Sequence, residues 1–155
     1  METINLYVDV PGTPEQAFRC FTDGMAGWWP REYTWSGERA LAAIGIEHGA
    51  GGLCYEIGPH GFRCDWGRVL VWDPPRRLVF TWQIGPAREP VPDPARAGEV
   101  ELLFRETVDG ETLVELEHRG FEKYGPEAAE YRAGLESSAG WPYLLGLFAK
   151  AVMSG

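Results

Sequence analysis

The sequence contains no apolar run that approaches the ~20 residues required for a membrane-spanning helix. It opens without the basic segment and long apolar segment of a secretory signal. Only three cysteines are present, and none belongs to a CxxC pair. We therefore expect a cytoplasmic protein that needs no disulfide framework and does not span a membrane.

Basic residues are also scarce. Lysine and arginine together number 14, against 23 aspartate and glutamate residues, and the formal net charge is -9. Phosphate backbones and anionic lipid headgroups are bound through basic patches, which release counterions. The charge therefore argues against a nucleic acid or a membrane surface as the partner.

Established enzyme motifs are missing as well. The sequence has no GxSxG, HExxH, P-loop or dinucleotide-binding pattern. The glycine-dense segment 49–52 joins two predicted strands with no helix behind it, which favours a hairpin turn over a phosphate-binding loop. Cys54, His60 and Cys64 surround one predicted hairpin, but zinc sites usually have four ligands at tighter spacing. We expect no metal and no other cofactor.

Aromatic side chains, in contrast, are abundant. Seven Trp, seven Phe and six Tyr make up 13% of the 155 residues, and 45% of the chain is hydrophobic. Such a composition excludes intrinsic disorder, and a chain of this length can hide roughly 70% of its extended surface in one core. We expect a single domain over residues 1–155.

The residue pattern predicts seven strands and a final helix. Residues 4–10 alternate apolar and polar side chains, which indicates a strand. Thr13 and Pro14 mark the start of a short helix, and Asp109-Gly110 is a strong hairpin signal. The run Val69–Trp72 breaks the alternation, which points to a bulge. Further strands are predicted at 40–48, 53–57, 62–72, 78–83, 99–107 and 111–119, and helices at 126–135 and 137–153, the latter from the helical spacing of Trp141, Leu144, Leu145, Phe148 and Val152.

Several short motifs follow one another in an order that resembles a known family. They are Trp28-Trp29-Pro30, Gly51-Gly52, Tyr55-Glu56, Asp65–Val69, Trp72–Trp82, Thr112–His118 and Gly140-Trp141. The series resembles the bacterial homologues of the activator of the heat-shock-protein-90 ATPase, over nearly the whole chain. Those proteins belong to the SRPBCC superfamily, together with START lipid-transfer domains, polyketide cyclases and the birch-pollen allergen.

The resemblance implies an α+β helix-grip fold. In that fold a curved antiparallel sheet of about seven strands wraps around a long C-terminal helix, one or two short helices follow the first strand, and a cavity lies between sheet and helix. The element order predicted from the residues agrees with it. The superfamily includes carriers, cyclases, hydrolases and co-chaperones, so the fold leaves the activity open.

The same fold suggests where a ligand would bind. Phe80 and Trp82 alternate onto one strand face, and the final helix would lie opposite them. We predict that a small, largely apolar or amphipathic molecule binds there, although an aromatic core without a pocket is the simpler interpretation. The residues expected to line the site are Tyr55, Trp66, Phe80, Trp82, Phe104, His118, Trp141 and Leu145, with Tyr55 and His118 as polar groups.

His118 ends a predicted strand, on the same face as Val114 and Leu116. A partly buried imidazole there is suited to hydrogen-bonding a ligand or to acting as a general base, with Glu56 or Asp65 as the acidic partner. The alternative is a histidine whose ring bonds a backbone carbonyl and has no functional role.

Three functions therefore remain open from the sequence. The first is ligand binding without catalysis. The second is a co-chaperone role, and with it a place in the stress response, through an exposed patch at Trp28-Trp29 on which a chaperone of the heat-shock-protein-90 type would bind. The third is a cyclase or hydrolase that uses His118 with Glu56 or Asp65. We also expect a homodimer, because this is the commonest oligomeric state.

Overall fold

The computed structural model describes residues 2–155, and in them a single antiparallel sheet encloses the last helix. The strands are β1 (Ile4–Val10), β2 (Ala43–Ile46), β3 (Leu53–Ile57), β4 (Arg63–Asp73), β5 (Arg77–Trp82), β6 (Gly98–Glu106) and β7 (Thr112–Arg119). The helices are α1 (Pro14–Phe21), α2 (Gly37–Ala40), α3 (Ala128–Glu136) and α4 (Trp141–Ser154), and single turns of 3-10 helix lie in several of the connections. The predicted α+β helix-grip architecture is confirmed.

The seven strands lie in the order β1-β7-β6-β5-β4-β3-β2, and every neighbouring pair is antiparallel. Strands β2 to β7 form a simple meander, because each pairs with the next strand along the chain. Strand β1 departs from it and pairs with β7, from Ile4 opposite His118 to Val10 opposite Thr112. The first and last strands of the chain therefore close one end of the sheet, beside α4.

Helix α1 begins where the sequence predicts. The Thr13 side chain accepts a hydrogen bond from the Gln16 backbone N–H (3.2 Å), and the Gln16 side chain accepts one from the Thr13 N–H (2.8 Å). This capping box satisfies two of the free N–H groups at the helix start. The helix then buries Ala17, Phe18 and Phe21 against the sheet and α4.

Helix α4 begins at Trp141 and is shorter than the predicted helix 137–153 at its start. Residues 137–140 instead form a turn, in which the Gly140 N–H donates to the Ser137 carbonyl (2.9 Å). Pro142 lies in the first turn of α4, where a missing N–H removes no helical hydrogen bond. The helix buries Trp141, Leu144, Leu145, Phe148 and Val152, the five residues whose spacing predicts it.

The predicted bulge in β4 is confirmed, because the register with β5 shifts between Val69 and Val71. A second shift, between Cys54 and Tyr55, interrupts the pairing of β3 with β4. As a result the two tryptophans of β4 lie in different parts of the molecule. Trp66 is buried inside the sheet, whereas Trp72 is half-buried at the other end, stacked on His48 with ring centres 4.7 Å apart.

The cysteines of the β3–β4 hairpin are not paired. Cys54 lies opposite Gly67, and Cys64 lies opposite Glu56, because five residues connect the two strands. Within residues 2–155, His, Cys, Asp and Glu side chains form no group of three that could hold a metal ion. The helices of this same part of the chain are all too short or too polar to cross a membrane.

The close approach of β4 to its neighbours gives a test of the fold. A Cβ at the buried Gly67 would collide with the Thr81 carbonyl oxygen and lie 3.1 Å from Cys54 Sγ. We expect Gly67→Ala to lower the free energy of unfolding by about 1–3 kcal/mol, because backbone atoms on both sides must move. The control is Gly146→Ala in α4, where a Cβ meets open space and alanine should add about 0.5–1 kcal/mol. Urea denaturation of both variants measures these changes in the free energy of unfolding. Equal stabilities of the two variants would contradict the packing described.

Candidate functional site

A cavity of about 270 Å³ lies between the sheet, α3 and the start of α4. Its walls are mainly aromatic and aliphatic, and its polar groups are few. The elements that supply them are the segment after α1, the inner faces of β2 to β5, the loop after β5, and α3 with α4. The lining residues are Trp29, Tyr33, Thr34, Trp35, Ile44, Glu56, Trp66, Trp82, Ile84, Gly85, Arg88, Tyr131, Leu135, Ala139, Gly140 and Leu144.

Three indole rings form the inner wall. Trp29 stacks on Trp66 with ring centres 5.6 Å apart and planes 24° from parallel. Trp82, on the adjacent strand β5, meets Trp66 edge to face at 6.0 Å and lies 6.2 Å from Trp29. These separations are those at which aromatic pairs attract one another. The wall is therefore preformed, held by contacts among its own rings.

Trp66 carries a polar group that the fold leaves unpaired. The side chain is 2% exposed, and its indole N–H has no hydrogen-bond partner among residues 2–155. The neighbouring Trp82 differs, because its N–H donates to the Tyr131 hydroxyl (2.7 Å), which in turn donates to the Ile84 carbonyl. A buried donor without a partner costs about 1–3 kcal/mol, so a ligand that accepts this bond would recover that free energy.

Glu56 contributes the only carboxylate among the lining residues. It is 3% exposed and lies on β3, opposite Ile44 of β2. Its Oε1 accepts the Trp35 backbone N–H (3.1 Å), and its Oε2 accepts both the backbone N–H (2.8 Å) and the hydroxyl (2.7 Å) of Ser36. These three bonds replace the water that the carboxylate loses on burial. They also fasten the segment Thr34–Ser36 over the cavity.

Two loops are fastened to each other at the mouth of the cavity. The Trp35 indole N–H donates to the Arg88 carbonyl (2.6 Å). In the opposite direction, the Arg88 guanidinium donates to the carbonyls of Tyr33 (3.1 Å) and Thr34 (3.2 Å). Arg88 has a φ of 65°, in the left-handed region that residues other than glycine rarely adopt. The three bonds thus hold a strained backbone position at the mouth, a combination typical of functional segments.

His118 lies deeper than the sequence suggests. Its side chain is completely buried, and it does not line the cavity. The Trp141 indole N–H donates to His118 Nδ1 (3.0 Å), so the neutral ring carries its proton on Nε2, which lies 3.5 Å from the Tyr124 hydroxyl. Burial lowers the pKa of His118 to about 3. The partner of the ring is therefore an indole, where the simpler interpretation expected a backbone carbonyl, and its contact with Trp82 is edge to face at 5.7 Å.

The other two acid–base and polar candidates lie on the outside of the hairpin. Asp65 is exposed and forms an ion pair with Arg63 (2.9 Å). Tyr55 is half-buried beneath the same guanidinium, which lies 4.6 Å from its ring centre. Neither side chain lines the cavity, because Tyr55 alternates with the buried Cys54 and Glu56 and so faces outward, as does its cross-strand partner Asp65. Of the three acid–base candidates, only Glu56 lines it.

The remaining predicted site residues divide between wall and core. Trp66 and Trp82 line the cavity. Four others are buried in the aromatic core behind it and do not line it: Phe80, Phe104, Trp141 and Leu145. Trp141 lies directly behind the inner wall, with its ring centre 5.2 Å from that of Trp82.

The Trp28-Trp29 segment is not the exposed patch that a chaperone contact would need. Trp28 is 5% exposed and Trp29 is 7% exposed. Trp28 packs against Phe21 and Phe148, and its N–H donates to the Cys20 carbonyl (2.9 Å). Both rings turn inward because the short helical turn Met25–Gly27 folds the segment back onto the core.

Sequence reasoning missed several cavity residues. Trp35 and Tyr33 lie where no regular element is predicted, and Arg88 lies in the loop between the predicted strands 78–83 and 99–107. Tyr131 and Leu135 could have been predicted as neighbours from the sequence, because they lie four residues apart on the predicted helix 126–135. That spacing places both on one helix face.

A curved antiparallel sheet around a C-terminal helix, with an apolar cavity between them, defines a protein of the helix-grip, SRPBCC-like class. Comparison of the sequence with known families is more specific. The chain belongs to the family described as "Activator of Hsp90 ATPase homolog 1-like protein", whose model matches residues 11–152. No curated protein shows significant similarity to it.

Solved structures agree with this assignment. One, described as the anthrahydroquino-gamma-pyrone synthase Txn09 complexed with SUM, is 34% identical over 97% of both chains, with a TM-score of 0.67. The self-sacrificing resistance protein CalC from Micromonospora echinospora is 25% identical over 98% of this chain and 94% of its own, with a TM-score of 0.66. The Aha1 dimer from Colwellia psychrerythraea is 17% identical over 98% and 96%, with a TM-score of 0.62, and shows the fold alone.

The burial of His118 predicts a pH dependence of stability. An unfolded histidine takes up a proton below about pH 6.5, whereas the folded ring does so only near its pKa of about 3. The neutral ring thus favours the folded chain above pH 6.5, and the free energy of unfolding should fall as the pH drops, by about 2 kcal/mol between pH 7.5 and pH 5. Chemical denaturation at both pH values measures this loss.

The variant His118→Asn should remove that part of the loss, because an amide oxygen still accepts a hydrogen bond but does not titrate. His60→Asn is the matched control. His60 is exposed with a φ of 59°, which asparagine tolerates, so this variant should keep the full loss. An unchanged pH dependence in His118→Asn would show that the buried imidazole is not its source.

Proposed function

We propose that this chain binds a small planar aromatic molecule in the cavity bounded by Trp29, Trp66 and Trp82. The observation that carries the proposal is the inner wall of three indole rings beside an apolar cavity. A volume of about 270 Å³ is near the lower end of the roughly 300–1,000 Å³ of small-molecule pockets. A ligand of two or three fused rings suits that space better than a long lipid chain does.

The comparisons support the same ligand chemistry. Txn09, at 34% identity over almost the whole chain, is described as a synthase of an anthrahydroquinone-γ-pyrone, and both parts of that name denote ring systems. Flat fused rings can stack on indole faces, which prefer offset or edge-to-face contacts at 4.5–7 Å. Our proposal therefore retains ligand binding, the first of the three functions that the sequence leaves open. It adds that the ligand is planar and aromatic.

The co-chaperone alternative receives less support from the geometry. It depended on an exposed aromatic patch at Trp28 and Trp29, and both side chains are buried. A chaperone partner and a homodimer stay predictions from the sequence.

Filling the cavity tests the proposal, with the tricyclic ketone xanthone as the probe. Ile44 lines the cavity, so Ile44→Phe should occupy part of its space and weaken xanthone binding by about tenfold or more. Ile46 lies two residues further along β2, is equally buried and does not line the cavity. Ile46→Phe should therefore leave the affinity unchanged. Isothermal titration calorimetry measures both.

Stability provides a second readout of the same pair. The free cavity accommodates the larger side chain of Ile44→Phe, whereas Ile46→Phe should overpack the core and lose about 1–3 kcal/mol. Absence of xanthone binding by the unmodified chain, or equal affinities of the two variants, would contradict the proposed site.

A second function, ring closure on such a ligand, is favoured by one observation. Glu56 places a buried carboxylate at the edge of an apolar cavity, and a carboxylate so placed can take a proton from a carbon next to a carbonyl group. This reading retains the cyclase alternative but replaces His118 by Glu56 as the base. His118 remains neutral and bonded to Trp141, so its role is to hold the helix that backs the wall.

Proton abstraction can be measured without knowing the natural substrate. The diketone 1,3-diphenylpropane-1,3-dione carries an acidic CH₂ between two aryl ketones, and exchange of its protons in D₂O is followed by NMR. We expect the chain to accelerate the exchange and Glu56→Gln to abolish the acceleration. Asp65→Asn, which changes the exposed carboxylate of the same hairpin, should retain it. Equal rates in both variants would exclude Glu56 as the base.

A further inference from the structure

We infer that the ligand carries a carbonyl oxygen that accepts the Trp66 N–H and a phenolic hydroxyl that donates to Glu56. The inference rests on the proposed function and narrows it, from any planar aromatic molecule to a hydroxylated aryl ketone. It depends on the two polar groups of the cavity wall that the fold leaves with unused hydrogen-bonding capacity.

The first group is the Trp66 indole N–H. The ring is stacked on Trp29 and in contact with Trp82 and Phe80, so it cannot turn to find another partner without breaking these contacts. Among residues 2–155 no acceptor lies within reach of the nitrogen. An indole only donates, so the complementary group on a ligand must be an acceptor. On a flat aromatic molecule, the carbonyl oxygen of a ring ketone is such an acceptor.

The second group is the Glu56 carboxylate. Its Oε1 accepts one hydrogen bond from the protein and its Oε2 accepts two, whereas a carboxylate has about four acceptor sites. One site therefore remains, on the oxygen bonded to the Trp35 N–H. Since a carboxylate only accepts, the complementary group on the ligand must be a donor.

The donors that could fill this site differ in the charge that they bring into the cavity. A protonated amine would bring a full positive charge into an apolar cavity whose lining already includes the Arg88 guanidinium. The neutral hydrogen bonds from Trp35 and Ser36 already offset the burial of the carboxylate, so a cation beside it is not required. A neutral hydroxyl supplies one proton and no charge, and on an aromatic ring it is a phenol.

A series of matched probes tests both bonds separately. Xanthene has no ketone, xanthone adds the carbonyl, and the four monohydroxyxanthones add a phenol at each ring position. In the unmodified chain we expect xanthone to bind roughly three- to tenfold more tightly than xanthene, which is the range of one neutral hydrogen bond. We expect at least one hydroxyxanthone to gain about tenfold more, because a bond to a charged group is stronger. Titrations are run at a pH at which the phenol keeps its proton.

Substitutions then assign each gain to its residue. Trp66→Phe should abolish the preference for xanthone over xanthene, whereas Trp72→Phe, on the same strand but lining a different cleft, should keep it. Glu56→Gln should abolish the gain from the hydroxyl. Because this substitution also affects the segment 34–36, the unmodified chain is titrated in addition with the fluoroxanthone that matches the best hydroxyxanthone. The fluorine removes the donor at similar size, so this probe should bind no better than xanthone.

The outcomes separate this inference from the proposed function. If none of the probes binds, the proposed function fails and the inference fails with it. If xanthene, xanthone and all hydroxyxanthones bind alike, the aromatic site stands and the inference is wrong. A preference for xanthone that survives Trp66→Phe, or a fluoroxanthone that binds as tightly as its hydroxyl counterpart, would also overturn it.

Discussion

The hydrogen bond from the Trp141 indole to His118 is the contact on which the arrangement of the site depends. It joins the first residue of α4 to the end of β7 inside a completely buried region. Helix α4 has no side-chain cap at its start, so this anchor and the tight turn at Gly140 fix where the helix begins. Because Trp141 packs against Trp82 from behind, the position of the helix determines where this part of the cavity wall lies.

The cavity itself follows from the size of the rings that surround it. Indoles on β4 and β5 and on the segment after α1 stack on one another and leave a gap that their flat faces do not fill. The core behind them is closely packed around Phe21, Phe80, Phe104 and Phe148. The chain thus combines a solid aromatic core at one end of α4 with an open aromatic wall at the other.

Much of the fold could be predicted because its signals are local. Alternation identifies the strands, Thr13 and Pro14 identify the start of α1, and the broken alternation after Val69 identifies the bulge. The site is harder, because its polar contacts join residues far apart in the sequence. Glu56 bonds Trp35 and Ser36 across 21 and 20 positions, and Trp35 bonds Arg88 across 53. No periodicity or spacing reports such contacts, and strand alternation says only that His118 points inward, not how deeply it is buried.

The mutual bonds between Trp35 and Arg88 also bear on how fast a molecule enters and leaves. Each loop supplies a donor to a carbonyl of the other, so neither loop moves away alone without breaking bonds in both directions. Segments coupled in this way open as one cooperative unit. Under the proposed function, a ligand that needs a wider mouth than this one therefore requires both loops to move together.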